Sequence, residues 1–141
     1  VPAIIRWPGR LPAGQVRTQL AHSCDWMPTI ASLCGIAPPP VEIDGKSLVP
    51  VISADAPSPH RVLHWTFGNS WAVREGDWKL LENPRDTSQT KPLDAADRRF
   101  LVDLSEDLGE RNNLAQQRPQ VAQRLESLHL RWWAAVTEER R

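Results

Sequence analysis

The middle of the chain reads Ser70-Trp71-Ala72-Val73-Arg74-Glu75-Gly76-Asp77-Trp78-Lys79-Leu80-Leu81, two runs of strand-forming residues on either side of Glu75-Gly76. A short loop carrying glycine between such runs is a hairpin signal. With Glu75-Gly76 as the loop, Arg74 faces Asp77, Val73 faces Trp78, Ala72 faces Lys79 and Trp71 faces Leu80. Opposed residues share a face. Trp71, Val73, Trp78 and Leu80 then form one apolar face, with Arg74, Asp77 and Lys79 on the other. A slip of one residue would send both tryptophans to water, so the pattern fixes its own register.

The neighbours extend this hairpin into a sheet. Val62-Leu63-His64-Trp65-Thr66-Phe67 reads as a strand before it. Arg99 to Leu104 reads as a strand after it, with Phe100, Val102 and Leu104 on one face and a polar loop, Pro84 to Arg98, between. The expectation is an antiparallel sheet of three strands or slightly more. Pro119 can open a helix that runs to about Glu139. Val121, Leu125, Leu128, Trp132 and Val136 lie on one stripe of that helix, which is expected to cover the tryptophan-bearing face.

The first 60 residues read differently. Ala3-Ile4-Ile5-Arg6-Trp7 is a nearly continuous apolar run, the pattern of a strand buried on both faces, and it stops at Pro8-Gly9. A helix is expected from about Trp26 to Cys34, capped by Ser23 or Asp25, with Pro28 tolerated in its first turn and Gly35 ending it. Met27, Ile30, Ala31, Leu33 and Cys34 supply its buried stripe. Pro38-Pro39-Pro40 is an extended connector, Asp44-Gly45 a turn, and Leu48 to Ile52 a short apolar anchor.

Composition narrows the function. The 141 residues carry 17 basic and 17 acidic side chains and no net charge, without the basic excess of a nucleic-acid binder. No apolar run approaches the ~20 residues of a membrane-spanning helix. Cys24 and Cys34 stand ten residues apart on the expected helix, ~15 Å of rise, too far for a disulfide, and read as small core residues. His60 and His64 lie across a strand entrance, where four residues span ~13 Å, too far for one metal ion. Asp103 to Gly109 has an acidic look, but Leu108 and Leu114 stand where a calcium loop needs glycine and glutamate. It reads as a strand end followed by an acidic turn.

The order of these segments resembles the C-terminal part of the sulfatases, in the alkaline phosphatase superfamily. Val1-Pro2-Ala3-Ile4-Ile5-Arg6-Trp7-Pro8-Gly9 looks like the family's "vPaivrwPG" strand, and Asp25-Trp26-Met27-Pro28-Thr29 like its "D-x-x-PT" helix start. Asp44-Gly45-Lys46-Ser47-Leu48 looks like "DGxSL", and Ala72 to Leu80 like "avRxGdWKL". Leu101 to Glu110 with Asn113-Leu114 looks like "LyDLxxDPgE…NL". Departures are Leu108 for proline, Val102 for tyrosine and Cys34 for alanine. The implied fold class is α/β for the whole protein and α+β for this chain: the end of a large α/β domain followed by a small antiparallel sheet packed by a C-terminal helix. Residues 1–52 match the last elements of the large domain, 53–61 a linker loop and 62–141 the small subdomain.

The resemblance implies hydrolysis of sulfate esters with a formylglycine nucleophile and a calcium ion, on a sulfated small molecule or glycan. The nucleophile motif C/S-x-P-x-R and the calcium motif Asp-Asn-Gly are both absent from this sequence, since Cys24 is followed by Asp25-Trp26-Met27-Pro28. No catalytic or metal residue carries over, and the chain alone is expected to be inactive. The residues expected to border the substrate are His64, Trp65 and Asn69, at and after the end of the strand that enters the hairpin. Two other readings stay open: a related phosphodiesterase or phosphonate hydrolase, and a non-catalytic tryptophan-rich module that binds glycans or a partner. Trp71 and Trp78 separate the last from the rest, because a binding platform needs them exposed. The chain starts at Val1 with no methionine, which reads as the middle of a protein whose N-terminal domain is missing. The compartment is open; the family is often periplasmic, secreted or lysosomal.

Overall fold

Glycine sets both tight turns of the sheet. In the computed structural model, which describes residues 2–37, 39–85 and 93–138, Gly68 (φ +58°) and Gly76 (φ +59°) each stand first in a two-residue turn. That is the position where a II′ hairpin needs a positive φ. Gly68-Asn69 joins β1 (Val62–Phe67) to β2 (Ser70–Glu75), and Gly76-Asp77 joins β2 to β3 (Trp78–Glu82). With β4 (Arg99–Asp103) they make a four-stranded antiparallel meander in the order β1-β2-β3-β4. Residues 86–92 of the expected polar loop, Pro38 of the proline connector and the last residue expected of the final helix lie outside the described residues.

The hairpin register differs from expectation, for a reason the turn supplies. Glu75 pairs with Trp78, Arg74 with Lys79, Val73 with Leu80 and Trp71 with Glu82. The expected loop would have put Glu75 first in the turn, at a positive φ that disfavours any L side chain. β2 gains Glu75 and β3 gives up Asp77 to the turn, so Val73 moves two positions along its neighbour. A shift by two preserves the face. Trp71, Val73, Trp78 and Leu80 therefore still share a side, but Arg74 faces a lysine rather than Asp77. Its Nε donates to the Gly76 carbonyl at 2.8 Å, and Lys79 turns to Glu110 at 2.5 Å.

On that side, Val73, Leu80 and Leu101 form a core with Ala122 and Leu125 of the final helix, α3 (Pro119–Glu138). Burying each of the large aliphatic side chains stabilises the fold by roughly 1.5–3 kcal/mol. Val62, Trp71, Trp78, Leu114, Val121 and Leu128 pack around this core. Arg99 ties three elements together: it donates to both carboxylate oxygens of Glu126 on α3, at 3.1 and 2.5 Å, and pairs with Glu82 on β3 at 3.4 Å. Arg124 of α3 pairs with Glu75 on β2. On the other side of the sheet, Phe100, Val102 and Leu104 are buried, with Leu81 and Leu93 beside them. This is a small α+β fold.

Residues 1–61 form a unit separate from 62–141. Its helices are α1 (Trp26–Leu33), entered through a 3-10 turn at Ser23–Asp25, and α2 (Val49–Ala54), which replaces the expected apolar anchor. Gly35 at φ +69° closes α1: its N–H reaches Ser32 O at 3.2 Å, and Ile36 N reaches Ala31 O at 2.9 Å. Both bonds satisfy carbonyls the helix end leaves bare. Three expectations need correction here. Residues 2–7 form no strand, and Ile4 is 94% exposed: the described residues of 1–61 include no strand for them to pair with. The stripe of α1 is only partly covered: Pro28 and Thr29 are buried, Ala31 and Leu33 half-buried, and Met27 and Ile30 half exposed. Cys24 and Cys34 are exposed free thiols rather than core residues.

Candidate functional site

The motif residues meet as clamps that hold distant segments together. Asp25 is fully buried, and its carboxylate gathers three nitrogen donors besides the Cys24 thiol at 3.9 Å. These are His22 N–H at 2.7 Å on Oδ2, with Lys46 N–H at 2.8 Å and His60 Nε2 at 2.7 Å on Oδ1. It was expected to cap α1, yet its side chain makes no cap bond to that helix; it closes a box with His22 at the 3-10 turn instead. Burial works against ionisation, but the Lys46 and His22 amides and the His60 ring outweigh it and hold the carboxyl below the usual range. Thr29 Oγ1 donates to Asp25 O at 2.6 Å and accepts from Leu48 N–H at 2.9 Å. The "D-x-x-PT" and "DGxSL" segments are thus laced to each other.

A second clamp holds the 62–138 unit. Asn113 Oδ1 accepts from Leu101 N at 3.1 Å and Ala115 N at 3.0 Å, while its Nδ2 donates to Asp97 Oδ1 at 3.0 Å and Arg99 O at 2.9 Å. One side chain therefore fastens β4, the turn before it and the approach to α3. Asn113→Ala strands the amide of fully buried Leu101. Leaving such groups unmade costs about 1–3 kcal/mol each. The expected result is a loss of about 2–4 kcal/mol in urea unfolding; an unchanged midpoint would refute the clamp.

The three residues expected at a substrate rim do not share a surface. His64 lies on the α3 side of β1, opposite Val73, with its ring stacked on Trp132 at 4.7 Å. Trp65 is on the other side, opposite Ala72, and Asn69 is exposed in the β1–β2 turn, its carbonyl accepting from Asn83 Nδ2 at 2.8 Å. Burial and the neighbouring His129 push the His64 pKa down to about 4. His129 is 2% exposed and escaped the sequence reading. It is four residues after Leu125 and three before Trp132, so the helical period alone places it on the stripe. Trp71 stacks on it at 4.2 Å, and Trp78 packs on the same core. Neither tryptophan is laid out as an open platform.

The calcium ion implied by the resemblance finds no cradle among the described residues, where no three His, Cys, Asp or Glu side chains are grouped to hold a metal. The acidic turn shows why. Asp103 Oδ1 accepts from Ser105 N and Oγ at 3.0 and 2.7 Å, and Asp107 Oδ2 from the Arg111 and Asn112 amides at 2.7 and 2.8 Å. These carboxylates fold the turn. Cys24 does not fit the formylglycine role either, since Asp25-Trp26-Met27-Pro28 follows it in place of x-P-x-R. Among the described residues no helix is long and apolar enough to cross a membrane.

The small antiparallel sheet under one long helix, and the unit before it, thus use the motif residues Asp25, Thr29 and Asn113 to hold segments of the chain together. The chain belongs to the sulfatase family described as N-sulphoglucosamine sulphohydrolase, C-terminal, which matches residues 1–136. It is 32% identical to arylsulfatase A of Bos taurus over 160 residues, covering 96% of this chain and 31% of that protein. For arylsulfatase A of Homo sapiens the identity is 33% over 150 residues, covering 92% and 29%. The chain thus spans about three tenths of the length of these curated relatives. Its fold is also that of a solved structure of BT4656 in complex with its substrate D-glucosamine-2-N,6-O-disulfate. There the TM-score is 0.67 at 22% identity, over 89% of this chain and 26% of that one.

Proposed function

We propose that this chain is the C-terminal part of a calcium- and formylglycine-dependent sulfatase that hydrolyses sulfate esters, and that it has no hydrolase activity by itself. The observation that carries the reading is the use of the motif side chains. Asp25, Thr29, Lys79, Glu110 and Asn113 all serve contacts within the chain, and neither C/S-x-P-x-R nor Asp-Asn-Gly occurs in the sequence. The nucleophile and the metal ligands then belong to another part of the same protein. The bare part of the apolar stripe of α1, Met27 and Ile30 followed by exposed Cys34, supports a division in which residues 1–52 end a larger α/β domain and 53–61 lead into the small one. Such a stripe is usually covered.

Within that reading, Trp65 and Asn69 border the substrate site from the side of β1 away from α3 and from its turn, with His64 under α3. A sulfated sugar suits a rim with an aromatic plane and an amide. The sulfated substrate named for BT4656 supports the same class. Two measurements test the proposal. The purified 141-residue chain is expected to turn over an aryl sulfate no faster than buffer; turnover above that blank removes the claim of inactivity. The coding sequence around this segment is expected to hold a C/S-x-P-x-R motif. An unmodified Thr or Ser nucleophile there would instead make the protein a phosphodiesterase or phosphonate hydrolase.

A further inference from the structure

Four rings from three elements interleave where the C-terminal half of α3 meets the sheet. Trp71 of β2 stacks on His129 of α3 at 4.2 Å and 10°, and His64 of β1 stacks on Trp132 of α3 at 4.7 Å and 6°. The two imidazoles lie side by side, 5.5 Å between centroids. In both, Nδ1 is buried with no hydrogen-bond partner. A neutral imidazole can leave one nitrogen as an unused acceptor, whereas an imidazolium must donate from both. A proton on either ring here would place an N–H against apolar surface and a charge beside a second imidazole.

The charged groups around the ladder are already engaged. Glu75 on β2 pairs with Arg124 of α3, and Glu82 on β3 pairs with Arg98 and Arg99. Glu126 of α3 pairs with Arg99. Asp103 of β4 accepts from Ser105. Arg131, next to Trp132 on α3, is exposed. Glu75, Glu82, Glu126 and Asp103 thus each have a partner other than the two imidazoles. The indole faces offer an imidazolium some cation–π attraction, but two adjacent charges repel each other and neither new N–H gains an acceptor.

We propose that His64 and His129 form a pH-sensitive clasp: with both rings neutral, the C-terminal half of α3 is held on β1 and β2, and protonation of the pair releases it. Linkage gives the direction. Desolvation by burial lowers both histidines, and His64 falls to about 4 from an ordinary 6.5. The unfolded chain then binds more protons between those values, so stability is full above pH 6.5 and is lost as pH falls toward 4. For His64 alone the folding equilibrium weakens by up to roughly 300-fold across that window.

The test is α3 amide protection in the full chain from pH 7.5 to 4 at constant ionic strength, corrected for intrinsic exchange. The wild type is expected to lose protection at residues 125–136 by up to roughly 300-fold. His64→Phe/His129→Phe keeps two stacking rings that cannot titrate and is expected to cut that loss at least tenfold, while the carboxylates above remain in both proteins. Equal pH profiles would overturn the clasp. Should the double variant not fold, wild-type imidazole Cε1–H resonances decide. Titration of both rings in step with loss of α3 protection supports the proposal. Titration near 6.5 with α3 still protected overturns it.

Discussion

Replacing Asp25 by alanine is expected to cost about 3–5 kcal/mol, because it leaves several buried donors without an acceptor at about 1–3 kcal/mol each. That is a large share of the 5–15 kcal/mol typical of a folded protein. The side chain is fully buried, and three nitrogen donors converge on it from residues 22, 46 and 60. Alanine leaves all three without an acceptor. Asp25→Asn keeps the shape but must turn an NH2 toward one of the donors, so it is expected to recover only part of the loss. The effect is local: amide protection should fall across 22–60 and stay unchanged across 62–138, which fold as a separate unit. Unchanged protection at Lys46 would sink the assignment. The same bonds set a pH dependence. The carboxyl is held low, so its contribution is full above the ordinary carboxylate pKa and is lost as pH falls through the acid range.

The sheet was legible in the sequence because its signals are local. Alternating apolar residues, glycine turns and the stripe of α3 each act within a few residues, and even a register set wrong by two kept Trp71 and Trp78 on the right face. The clamps were not legible in the same way. Asp25 meets Lys46 across 21 residues and His60 across 35, and no period or spacing joins them. His60 entered the sequence reading only as half of a rejected zinc pair with His64. The buried stripe of α1 failed for the opposite reason, although the helix itself stands where it was expected. Its periodicity is real, but the apolar stripe it marks is only partly covered, because burial depends on what lies beside a helix as well as on its pattern. His64 and Trp65, both expected at a rim, are neighbours in sequence and must point to opposite faces of a strand. That could have been read in advance, and it is why they do not converge.

Gly45→Ala is expected to be as damaging, at about 3 kcal/mol or more, through forced movement of packed backbone. A methyl group at Gly45 would overlap the Cys24 carbonyl oxygen and stand 2.7 Å from its carbon and 3.3 Å from Asp25 N. These are backbone atoms at the entrance to α1, and no rotamer change can clear them. Gly35 is the control: its φ of +69° strains any replacement, but a methyl there meets nothing within 4 Å. Gly35→Ala should cost only about 1–2 kcal/mol, the strain of an L residue in left-handed backbone. Thermal unfolding that ranks Gly35→Ala as the worse of the two would reject this account. The close approach also explains the motif. Lys46 N–H reaches Asp25 and Leu48 N–H reaches Thr29 only because the chain at residue 45 runs against residue 24. Gly45 and Asp25 therefore act on one contact, and their effects cannot add. The double variant Asp25→Ala/Gly45→Ala should cost clearly less than the two single losses combined, since either change already parts the segments. A full sum in that cycle would mean the glycine and the carboxylate hold separate structures, and that the two motifs meet by proximity alone.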